Sequence, residues 1–145
     1  MDRLQAELNL AADVKGLRHQ AATNGWEVEG PDGLNVYITM RSRLDDESYV
    51  MWFHCPGYPD DPFSIKPVDA ESKDASVGHA WPSCNGFRPP NDICMPLCAE
   101  GYALHPEWRT DPRWRWNASG NPVLRVAEEL QARLDDATKY NGRHA

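Results

Sequence analysis

The residues of this chain best suited to covalent chemistry are two thiols, Cys94 and Cys98, inside the run Asn85–Trp108, NGFRPPNDICMPLCAEGYALHPEW. A cysteine thiolate is nucleophilic near neutral pH, and an acyl group carried on it stays reactive towards amines. Asn91-Asp92 before Cys94 and Pro96 after it predict an irregular surface loop, where a thiol can meet a partner. Asp92 and Glu100 are the nearest acids to Cys94 and could orient or deprotonate an incoming amine.

The alternatives use the same residues. Cys94 can be an inert buried hydrophobe, a common fate for cysteine. Cys98 is a rival nucleophile, a redox partner of Cys94 or a packed neighbour. Cys84, Cys94 and Cys98 with His79 or His105 could supply four zinc ligands, although no C-x-x-C spacing is present. A cysteine-protease arrangement lacks the order of Cys, His and Asn that such enzymes use.

These residues sit in a chain of 145 residues, predicted to form one domain over 1–145. A hydrophobic share of 41% and a charged share of 26% fit a water-soluble globular protein. The net charge of -7 argues against a nucleic-acid partner, with Arg109–Trp116 (RTDPRWRW) the one basic, aromatic counter-signal. No apolar run approaches the roughly 18–20 residues that span a bilayer, so no membrane partner is expected. The start MDRLQAEL does not read as a signal peptide, and cysteines without a secretory leader point to a reducing cytoplasm. No repeat is present and no cofactor is expected.

Positioning the thiols falls to a small set of elements. Segment 1–24 reads as an N-terminal helix: Leu10, Val14, Leu17 and Ala21 fall at helical spacing, Leu4 and Leu8 start a neighbouring stripe, and Asn24-Gly25 closes it. Arg3, Glu7, Lys15 and Arg18 would face solvent, or a docking partner. Residues 26–68 read as an antiparallel meander. Trp26–Glu29 alternates, Gly30–Gly33 turns, Leu34–Arg41 alternates again, Tyr49–Phe53 is apolar enough to be central, and Phe63–Val68 returns as an edge strand that tolerates Pro67. Residues 69–78 are loop-like and 79–116 irregular. A C-terminal helix over 121–138 is predicted, with Asn121 as N-cap, Pro122 at its first position and Val123, Val126, Ala127, Leu130 and Leu134 on one face. Arg133 near its end suits the helix dipole, and Asp135–Ala145 reads as a frayed polar tail.

That order resembles the ubiquitin-conjugating enzyme fold: α+β, with a leading helix, a four-stranded antiparallel meander, an irregular active-site loop and one long C-terminal helix. The specific residues are the Tyr58-Pro59-Asp60-Asp61-Pro62 turn, Ile93-Cys94-Met95 and the downstream Trp108. His79 and Gly86 keep the separation of the family's His-Pro-Asn and Gly. The family's asparagine, however, falls on Trp81, and five extra residues precede Ile93. Eukaryotic members usually add two further helices, so the likeness is to the short bacterial members. The resemblance implies that Cys94 accepts a ubiquitin-like modifier from a ThiF-type activating enzyme and passes it to an amine acceptor, for which a target protein is one candidate. It implies a structural role for His79 in holding the loop, the Asn91 side chain and loop N–H groups as candidate donors to the oxyanion of acyl transfer, and a setting in bacterial antiviral defence. A catalytically inactive binding module on the same fold is the alternative.

Overall fold

Alternation of large apolar side chains builds the sheet on which everything else rests. In the computed structural model, which describes residues 2–145, helix α1 (Arg3–Asn24) leads into β1 (Glu27–Asp32), β2 (Asn35–Arg41), β3 (Ser48–His54) and β4 (Ser64–Val68). These four strands form an antiparallel meander in the order β1-β2-β3-β4. The register sets Val36 opposite Phe53, Ile38 opposite Met51 and Met40 opposite Tyr49. All six are buried. Because side chains alternate along a strand, the intervening Tyr37 and Trp52 fall on the other face, where their rings stack at 6.5 Å.

The predicted α+β architecture and its meander are therefore present, with β3 an interior strand and β4 at an edge. Helix α1 starts at Asp2, whose carboxylate accepts from Gln5 N at 2.8 Å, and stops at Gly25 with φ 73. Its buried residues are Ala6, Leu10, Val14 and Leu17. Leu4 and Leu8, expected on a neighbouring stripe, are exposed instead. At about 100° per residue they lie opposite Ala6 and Leu10, so helix geometry itself turns them to solvent.

Helix α3 (Pro122–Leu134) carries the predicted face, with Val123, Val126, Ala127, Leu130 and Leu134 all fully buried. Burial of such side chains contributes about 1.5–3 kcal/mol for each large one. Asn121 caps it by accepting from Leu124 N and ties it to α1 by donating to Asp13 O at 2.8 Å. Tyr58 of the proline turn joins the same junction. Its hydroxyl donates to Asp13 Oδ2 at 2.6 Å and accepts from Val123 N at 3.2 Å. The helix ends at Leu134, short of the expected residue 138.

The C-terminal segment is the largest departure from expectation. Rather than fraying, it forms β8 (Tyr140–Arg143), which pairs antiparallel with β5 (Pro82–Cys84). Tyr140 and Tyr49 hydroxyls meet at 2.6 Å, and Tyr140 also donates to Asp45. Arg143 donates to Glu47, to Ser48 O and to His79 O, with its guanidinium 4.6 Å from the Tyr49 ring. Polar side chains that look like a solvated tail are thus its fastening.

The Cys94 groove

Region 79–116, expected to be irregular, is built from short elements. A 3₁₀ turn (Gly78–Ala80) leads to β5, then to a hairpin of β6 (Phe87–Arg88) and β7 (Asp92–Ile93), helix α2 (Ala99–Leu104) and a second 3₁₀ turn (Pro106–Arg109). Cys94 N donates to Gly86 O at 2.7 Å, which pins the thiol-bearing residue beside the β5–β6 turn. Gly86 is required there. Its φ is +91, and an added Cβ would lie 2.7 Å from Cys94 O.

Of the four cysteines, Cys55, Cys84 and Cys98 are buried, and Cys94 alone is partly exposed. Burial pushes the Cys98 thiol far above the usual cysteine range, with Glu100 adding to the shift and Arg133 opposing it. Burial likewise raises Cys55 and Cys84. A thiol held protonated in the core is neither a ready nucleophile nor a metal ligand. Among the described residues, no three His, Cys, Asp or Glu side chains gather closely enough to hold a metal ion. The zinc quartet drawn from the sequence is therefore not assembled.

Cys94 lines an open groove of about 560 Å³. Asn85, Gly86, Arg88, His105, Trp108 and Trp114 line it with the thiol, and Arg133 joins them from α3. The His105 and Trp108 rings stack at 4.2 Å, and His105 Nδ1 lies 3.1 Å from Glu107. Trp108, singled out in the sequence, is thus brought to the thiol. Arg133, assigned there only a dipole role, is 9% exposed and faces the same groove. Its position one helical turn beyond Glu129, on the margin of the apolar stripe, was the available signal.

His79 and Asn91 are not among the residues lining this groove. His79 is exposed and borders a different depression with Tyr49, Val68 and Arg143; the contact that ties it is its carbonyl, which accepts from Arg143 at 2.9 Å. Asn91 is exposed in the turn of the β6–β7 hairpin, with its backbone N–H bonded to Arg88 O. Trp81, which the resemblance aligns with an asparagine, is wholly buried and donates to Ala75 O. The acids near Cys94 are also engaged. Asp92 takes a two-pronged bond from Arg88 at 2.7 Å, and Glu100 accepts from Ser64.

The basic, aromatic stretch is largely spent on packing. Trp116 packs edge-on against Phe63 and donates to Pro59 O, Arg113 pairs with Asp111, Arg109 covers the Tyr102 ring, and Trp114 O accepts from Tyr102. No helix among the described residues is long and apolar enough to cross a membrane. Comparison with protein-family models, curated proteins and solved structures finds no match for this chain.

Proposed function

We propose that this chain is a conjugating-enzyme-like acyltransferase whose Cys94 carries a ubiquitin-like modifier as a thioester. The observation that carries the reading is that Cys94 is the single partly exposed cysteine and opens into a groove beside Trp108. The order of leading helix, four-stranded meander, proline turn, thiol loop and closing helix supports it. In the loading step the Cys94 sulfur attacks the carbonyl of a thioester on a ThiF-type activating enzyme. The new S–C bond forms, the old one breaks, and the Cys94 proton ends on the departing thiol. A target-protein amine then displaces Cys94 in the same manner. The setting that fits is the bacterial cytoplasm, in a modifier pathway of antiviral defence. In this reading the Asn91 side chain and loop amides remain candidate oxyanion donors, and His79 a residue that holds the loop.

The test combines the protein with a cognate activating enzyme, its modifier and ATP. A band cleaved by reducing agent is expected for wild type and for Cys98→Ala, and its loss for Cys94→Ala. A band lost only in Cys98→Ala would overturn the assignment. A second reading, an inactive binding module, is favoured by one observation: the buried Trp81 stands where the family keeps its asparagine. Modifier binding without any thiol-sensitive band would support it.

A further inference from the structure

The residue of the Cys94 groove least explained by packing is Arg133. Its side chain is 10% exposed, and Nε is buried without a hydrogen-bond partner. Among the described residues the guanidinium makes no hydrogen bond at all; the one ion pair brings Glu129 Oε1 to 3.4 Å from Nε. Nε is the donor that burial leaves unmatched, and an N–H that gives up water and gains no acceptor costs free energy. A group that accepted from the guanidinium would offset that cost.

The backbone around Gly86 focuses those donors on the thiol segment. The position a Cβ would take on Gly86 is 2.7 Å from Cys94 O and 3.9 Å from Arg133 Nη1. The missing side chain is the space in which the Cys94 segment and the guanidinium meet. Arg88, which also lines the groove, has both prongs committed to Asp92, so Arg133 is the arginine with donors to spare.

We propose that Arg133 makes the Cys94 groove a binding site for a carboxylate or acyl oxygen, held next to the thiol by charge-assisted hydrogen bonds. Resting on the conjugating reading, that oxygen is the one on the modifier's C-terminal carbonyl. It gains negative charge as the sulfur attacks and gives it back as the leaving thiol departs. A guanidinium with a planar fork of donors suits such a group better than a lone ammonium does. The arginine supplies from α3 what an asparagine at position 81 does not.

The experiment needs no partner protein. Cys94 in the intact chain is alkylated by iodoacetate, which carries a carboxylate, and by iodoacetamide, which does not, and the modified site is read by mass spectrometry. The ratio of the two rates in the folded protein is expected to exceed that of the same protein in urea. Arg133→Gln is expected to lower it about tenfold, the factor that about 1.4 kcal/mol of bonding represents. Arg133→Lys should fall between the two, and Arg133→Met should match Gln should the glutamine variant not fold. A folded wild-type ratio no higher than the unfolded one, or a ratio unmoved by Arg133→Gln, overturns the proposal. Thioester formation is scored separately. A ratio that behaves as expected in a protein that never forms a thioester keeps the anion site and removes the conjugating reading. A thioester formed with a flat ratio does the reverse.

Discussion

Cys94 and Cys98 are near neighbours in the chain and live in different media. Cys94 lines an open groove, whereas Cys98 is wholly buried in the core, its N–H directed to Met95 O at 3.4 Å. The difference comes from the backbone between them. Leu97 takes φ 77, a conformation side chains rarely adopt, and the reversal carries one thiol outward and the next inward. Composition assigns the two residues the same chemistry; a single turn divides it.

The sharpest way to break this contrast is to compare alkylation of the two thiols in the native protein. Reaction at Cys98 needs the core to open, so Cys94 is expected to react at least about a thousandfold faster. Comparable rates, followed by peptide mapping, would mean that the groove and the core exchange freely.

A smaller effect tests what holds the turn. A Cβ on Gly101, in α2, would lie 1.9 Å from Met95 O, closer than any real contact allows. Gly101→Ala is expected to cost about 3 kcal/mol or more in urea unfolding, since backbone rather than a flexible side chain must yield. It should also raise the reactivity of Cys98. A neutral Gly101→Ala would show that α2 can slide off the thiol segment.

The mildest effect is one of pH. The folded-state values of Cys98 and Cys55 are raised by burial, so each contributes stability that is fully present below the unfolded thiol value of about 8.5. As pH rises past that point the unfolded chain loses these protons and the folded one keeps them, and stability falls by about 1.4 kcal/mol per pH unit for each thiol. Urea titrations between pH 7.5 and 9.5 should show this decline, and Cys98→Ala should remove its share of the slope. An unchanged slope would place Cys98 in contact with water.

Much of the scaffold was legible because it is repetitive. The meander declared itself by alternation, α1 by its spacing and its closing glycine, and α3 by Asn121, Pro122 and one apolar face. The site was legible only where a residue type was rare, as with Cys94 and Trp108. Strands of two or three residues, such as β6 and β7, are too short to carry a period, and their hairpin sets Asn91 away from the groove that Cys94 lines. Spacing puts Arg133 near a helix end and suggests a dipole role, whereas its place beside Gly86 and Cys94 depends on a segment distant in sequence. Segment 140–143, Tyr-Asn-Gly-Arg, offers a single strand-former, Tyr140, beside Asn and Gly, which strands disfavour. It is ordered by Asp45, Glu47 and Tyr49, partners invisible to any local window.

Closure of β8 onto β5 gives the chain an order of assembly. The β1–β4 hairpins join neighbours in sequence, but the Tyr49–Tyr140 contact spans 91 residues. The entropy of closing a loop grows with its length, so distant pairings wait until nearer ones have formed. The turn at Asn85 and Gly86, which follows β5 and leads to Cys94, is therefore expected to gain its support last. Pulsed hydrogen exchange during refolding should protect the amides of β2 and β3 before that of Asn85, which donates to Lys139 O. Simultaneous protection would show that the two ends of the chain meet early. On this ordering a chain still emerging from the ribosome would hold its sheet well before it could present a finished reactive groove.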